Sequence, residues 1–176
     1  MKMLVILTLV IFVAACISNP YQRSYHGVTF NFRANLNEAE KVAVYPSEQA
    51  VKDLLLSRYV NKIVLAYIDN PDENGFYAVA GFEFSYKMTI INRALFANPK
   101  DIEIYNVSSI EEARNMSDKI VPVVMFLGPS LANKTAVTVD DSIIFVEGKE
   151  LYTEENTYTD LDLATDKLIL VLMGEQ

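Results

Sequence analysis

Hydrophobic and polar residues alternate over residues 28–32, with Val28, Phe30 and Phe32 falling on one side. A period of two is the pattern of a half-buried strand. Val42 and Val44 repeat it as far as Tyr45-Pro46. Beyond Pro46 the spacing lengthens: Ala50, Val51, Leu54 and Leu55 recur at helical intervals behind Ser47, an N-cap residue, and predict a helix to about residue 57. Residues 60–68 are rich in β-branched side chains and predict a central strand. The polar stretch Asn70-Pro71-Asp72-Glu73-Asn74-Gly75 cannot continue that strand, and residues 76–84 resume a strand pattern, so a hairpin is expected across it. Residues 86–96, apolar at 88, 91, 95 and 96, are expected to be helical and to end at Asn98-Pro99.

Residues 102–105 predict a short strand. Ser108 or Ser109, followed three positions later by Glu111 or Glu112, forms a capping-box pattern for a helix to about residue 117. Residues 121–127 are a continuous apolar run closed by Gly128-Pro129, as in a strand buried on both faces, with Pro122 tolerated near its start. Residues 135–139 and 143–146 predict a second hairpin across Asp140-Asp141. In 160–173 the segment "KLILVLM" alone fits a buried strand, but the length of the whole run and the Thr159/Asp162 cap favour a helix. Leu161, Ala164, Leu168 and Leu172 would line its buried side. Half-buried and fully covered strands in one chain predict an α+β fold: a single layered domain with a mixed or mostly antiparallel sheet and about three to four helices on one face. No internal repeat or low-complexity linker divides it.

Ahead of these elements, residues 3–15 carry no charge and follow Lys2, the layout of a secretory signal peptide. At about 13 residues the run falls short of the roughly 20 needed to cross a bilayer core. It ends in Val13-Ala14-Ala15-Cys16, small residues leading into the chain's single cysteine. This sequence resembles the lipobox of prokaryotic lipoproteins. The resemblance is confined to the first sixteen residues and implies removal of 1–15 as a signal peptide and lipidation of the Cys16 thiol. The protein would then sit on the extracytoplasmic face of the cell membrane. Residues 16–26 would be the lipidated cysteine and a short polar tether, and 27–176 the folded domain. An ordinary secretory signal beside an unrelated cysteine, or an uncleaved anchor, is the alternative. Asn106, Asn115 and Asn133 each open an Asn-x-Ser/Thr sequon and are candidate N-glycosylation acceptors on such a surface protein.

Composition narrows the picture. Hydrophobic residues make up 51% of the chain, with ten Tyr and nine Phe, which suffices for a packed core. With no second cysteine, the domain must hold together without a disulfide. The formal net charge is −8, and loss of Lys2 with the signal makes it one unit more negative. Such a surface repels phosphate backbones and anionic headgroups, so no nucleic-acid binding is expected and anchoring falls to the lipid alone.

Candidate chemistry is sparse. A zinc site at His26, the one histidine, would have to be completed by carboxylates alone, which suit zinc poorly. A triad joining His26 to Ser130 would lack the Gly-x-Ser-x-Gly elbow that exposes such a nucleophile. No phosphate-cradling glycine loop is present. Asp160, Asp162 and Asp166 lack the glycine and terminal glutamate of a calcium loop and read as caps on a solvated helix face. Asp140-Asp141 reads as a turn. Glu83 interrupts the predicted strand 76–84 and would face outward, although a paired-carboxylate hydrolase leaves no local motif. The tyrosines read as strand residues, with a binding surface as the other reading. No catalytic residue, metal or cofactor is expected. The sequence therefore predicts a membrane-anchored extracytoplasmic lipoprotein acting as a non-catalytic binding or cell-envelope structural domain, with a protein partner in the envelope. A small-ligand receptor and a carboxylate-dependent hydrolase are the alternatives.

Overall fold

The apolar run before Gly128 sits in the interior of a sheet. The computed structural model describes residues 19–151 and 157–174; the signal segment and Cys16 lie outside them. From the N-terminus the described elements are β1 (Gln22–Tyr25), β2 (Val28–Asn31), α1 (Leu36–Ala39), β3 (Ala43–Tyr45), α2 (Glu48–Leu55) and β4 (Lys62–Ile68). There follow α3 (Asn74–Leu95), β5 (Asp101–Val107), α4 (Ile110–Met116), β6 (Val123–Leu127), β7 (Ala136–Asp140), β8 (Ile143–Glu147) and α5 (Asp160–Met173). β1 and β2 pair as a separate hairpin, and the other strands form a sheet in the order β3-β7-β8-β6-β4-β5. β8, β6, β4 and β5 run parallel, β7 runs antiparallel to β8, and β3 runs parallel to β7. The fold is α+β and the sheet is mixed.

Alternate residues of the central strands feed two cores. Ile63, Leu65, Val124, Phe126, Ile144 and Val146 face a large core shared with α3 and α5. Val64, Ala66, Val123, Met125, Ile143 and Phe145 face a smaller one closed by Ala113 of α4 and by Ala132. Helices therefore cover both faces rather than the single face expected. The connectivity explains this: α3 carries the chain from β4 to β5 on the first face, and α4 carries it back past β4 to β6 on the second. Opposite directions on opposite faces give both parallel crossovers the same hand.

α5 is nearly all buried, packed between β7–β8 and the helices α1, α2 and α3. Leu161, Ala164, Leu168 and Leu172 are buried as expected, but so are Thr165, Asp166, Ile169 and Val171, as in a helix apolar on all sides. The Thr159 side chain accepts from the Asp162 N–H while the Asp162 carboxylate accepts from the Thr159 N–H, and Gly174 ends the helix at φ 76°. The N-caps at Ser47 and Ser109 and the β7–β8 hairpin also form.

Two further expectations about individual segments are overturned. Residues 76–84 are not a strand; they belong to α3, one helix of 22 residues. Tyr77, Ala80, Gly81, Phe84, Met88 and Ile91 form its buried stripe at helical spacing, and no proline divides the run. The local pattern fits a strand, but burial of that stripe decides for helix. The tether expected over 16–26 also ends early, because residues 22–25 form β1 against β2 and Tyr25 is buried. His26 (φ 47°) and Gly27 (φ 80°) make its turn, the positive pair that a two-residue hairpin requires. Within β2, Val28 stays 39% exposed while Phe30 is buried, as is Phe32 just after it.

Candidate functional site

Among the described residues β5 ends the sheet and pairs only with β4. Its Asp101 N–H donates to the Asn61 carbonyl at 2.8 Å. Backbone groups alternate sides along a strand, so Glu103, Tyr105 and Val107 also bond toward β4, whereas Ile102, Ile104 and Asn106 direct N–H and C=O away from the sheet. The side chains of these outward-bonding residues share the face of Leu65, to which Ile104 is directly paired. Among the described residues the unpaired backbone edge thus belongs to the residues that carry the strand's two isoleucines, Ile102 and Ile104.

Beside this edge a groove of about 300 Å³ runs between α3 and the sheet, lined by Tyr67, Tyr77, Gly81, Phe82 and Ile104 among others. Its rim is apolar and open: Ile104 is 59% exposed, and Phe82 (66%) stacks on Tyr86 (56%) with ring centroids 6.2 Å apart. Gly81 leaves space in the wall, since a Cβ there would meet no atom within 4 Å. A glycine inside a helix costs about 0.5–1 kcal/mol relative to alanine, and here its visible effect is to keep the groove wide.

The inner wall is held by a polar knot. The buried Glu73 carboxylate accepts from the Tyr77 hydroxyl (2.5 Å), the Ser130 N–H (2.8 Å) and the Ser130 hydroxyl (2.9 Å). The Tyr77 oxygen in turn accepts from the Gly128 N–H at 3.0 Å. Burial, then the bond to Glu73, raises the Tyr77 phenol above its ordinary range, so it remains a neutral donor. A Cβ on Gly128 would lie 2.5 Å from the Glu73 carboxylate, which explains the glycine. Tyr77, stacked on Tyr67 at 5.6 Å, is therefore fixed before anything enters the groove.

The sequence candidates scatter. His26 is exposed in the β1–β2 turn with its ring against Tyr25, while Ser130 is tied to Glu73; the two are not bonded to each other. Asn106, Asn115 and Asn133 are all exposed, on β5, on α4 and in the loop after β6. Glu83 lies on α3, not on a strand, and pairs with Lys87. Asp140 meets Arg114 at 2.5 Å, next to the turn residue Asp141 (φ 54°). Cys16 is outside the described residues.

Asp162 and Asp166 are not a solvated face. Asp162 accepts from Arg33 Nε at 2.9 Å, and Asp166 accepts from the Ala34 N–H at 2.8 Å with Lys87 at 3.6 Å. Lys87 is 1% exposed and lies over the Phe32 ring at 4.5 Å. Burial, against the pull of Lys87, pushes the Asp166 carboxyl up to about 7. This cluster pins residues 32–34 to α3 and α5. Asp160 instead accepts from the Thr135 hydroxyl.

Among the described residues no group of three or more His, Cys, Asp or Glu is placed to hold a metal ion, and no helix is long and apolar enough to cross a membrane. The sequence pattern hides the groove because residues 76–84, the first part of α3, fit a strand, while only 86–96 read as helix. The helical recurrence of Tyr77, Gly81 and Phe84 was the available signal. No family model matches the chain, and neither a curated protein nor a solved structure matches it.

Proposed function

We propose that the domain is held on the extracytoplasmic face of a membrane by a lipidated Cys16 and acts there as a non-catalytic binding module, docking an extended segment of a protein partner along β5. The observation that carries this reading is the outward-bonding Ile104 at the rim of the groove. An extended segment added to a sheet edge gains main-chain hydrogen bonds, and alternate side chains find pockets on one face. β5 offers both on the face of Ile102 and Ile104. Edge strands that avoid pairing are short, bulged or interrupted by proline or inward-pointing charge. β5 spans seven residues, carries no proline and turns its charged Glu103 to the opposite face, where Lys62 meets it at 3.1 Å.

Thiol labelling on intact cells tests both halves of the proposal. Single cysteines at Ile104 and at Tyr59, which is 66% exposed, are placed in the full chain. They are treated with a membrane-impermeant maleimide under reducing conditions. The proposal requires rapid labelling of Tyr59→Cys and slow labelling of Ile104→Cys until the protein is denatured. Equal rates would show an uncovered edge, and no labelling at either position before lysis would remove the extracytoplasmic placement.

A further inference from the structure

Resting on the docking reading of β5, we propose that the added strand is β5 of a second copy of this chain. In an antiparallel pair related by a two-fold axis, one residue meets its own counterpart. Placing the axis at Ile104 brings the outward-bonding residues together: Ile104 opposite the second copy's Ile104, and Ile102 opposite the second copy's Asn106. Each such pair exchanges both of its N–H···O bonds. The residues between them fall into the remaining positions, with Glu103 opposite the second copy's Tyr105 and Asp101 opposite its Val107.

This register is self-complementary in charge. No carboxylate faces a carboxylate, and Glu103 meets a phenol of the kind it already binds, since Tyr105 of its own strand donates to it at 2.7 Å. An axis at Ile102 would oppose Asp101 and Glu103, and one at Glu103 would set that residue against itself; like charges directly opposite destabilise a pair. An axis at Tyr105 would face Ile104 with Asn106 and shorten the ladder. Only the axis at Ile104 joins full length, matched charge and an apolar centre.

On the groove face the two Ile104 side chains meet, flanked by the Phe82–Tyr86 stack of each copy. All three side chains are large, apolar and exposed. The contact uses the same patch on both copies and closes on itself, giving a dimer rather than a fibre. Confinement by a lipid anchor raises the effective concentration of one copy for another. Each copy is acidic, at −8 for the whole sequence and one unit more negative without the signal segment, so added salt should strengthen the pairing by screening their repulsion.

The test uses the full-length, membrane-borne chain. A hydrogen-bonded antiparallel pair sets Cα atoms about 5.5 Å apart, inside the span a disulfide bridges. Ile104→Cys should therefore oxidise to a reducible species of twice the monomer mass. Tyr59→Cys and the unsubstituted chain, with its cysteine at 16 alone, should not. Adding Phe82→Glu to Ile104→Cys should suppress the product. Crosslinking no greater at 104 than at 59 would overturn the proposal. If the Ile104→Cys thiol is nonetheless shielded from maleimide on cells, docking stands with a different protein on the edge. If it is freely labelled as well, docking and dimer fall together.

Discussion

Replacing Asp166 by asparagine isolates the buried cluster that ties the N-terminal hairpin segment to the helices. In the folded chain the Asp166 carboxyl titrates at about 7 against 3.8 ordinarily. The groups facing it are Lys87 and Glu83 from α3, Asp162 from α5 and the Ala34 N–H from the segment before α1. Between these two values the folded state holds a proton that the unfolded state has released, so stability falls as pH rises through the window and levels off above it. A shift of about three units corresponds to ~4 kcal/mol at 1.36 kcal/mol per unit, of which about 3 kcal/mol is lost between pH 5 and pH 8. The asparagine side chain has no proton to release, keeps an oxygen for the Ala34 N–H and leaves Lys87 paired with Glu83. The assay is urea unfolding of both chains at pH 5 and pH 8. The stability of Asp166→Asn relative to the unsubstituted chain should rise by about 3 kcal/mol from the lower to the higher pH. A difference unchanged between the two pH values, or one that moves the other way, refutes the reasoning.

Leu168→Ala, at a fully buried position of α5, should cost about 2–5 kcal/mol through the cavity it leaves, measured by urea unfolding at a fixed pH. Gly81→Ala should instead stabilise by about 0.5–1 kcal/mol, because its Cβ meets open space; a loss of stability would show that the α3 wall is already filled. Cys16→Ser should abolish lipid labelling and leave the precursor uncut or released, and a processed, lipid-labelled Cys16→Ser protein that still partitions with membranes would defeat the anchor.

Local signals carried the strands and caps. The run before Gly128 announced a strand covered on both faces, and β6 is buried at all of its residues. Ser47, Ser109 and Thr159 each cap the helix expected after them. What stayed illegible depends on partners far along the chain. Asp162 and Asp166 look like a solvated face until Arg33, Ala34 and Lys87 arrive from other elements. Gln22 to Tyr25 are polar enough to pass for a tether until the His26-Gly27 turn folds them onto β2. The free edge was hidden for a related reason. Residues 102–105 were legible as a strand, but nothing local says that β6 pairs with β4 on its other side and leaves β5 outermost among the described strands.

Amide hydrogen exchange along β5 in the membrane-borne protein tests the docking edge most directly. If a strand is added there, the outward amides of Ile102, Ile104 and Asn106 exchange slowly, alongside the inward amides of Glu103 and Tyr105 that already bond to β4. The same outward amides should become fast in an Ile104→Lys chain. If Ile102, Ile104 and Asn106 exchange as freely in the unsubstituted protein on its membrane as in that variant, nothing is docked on β5 and the account is contradicted.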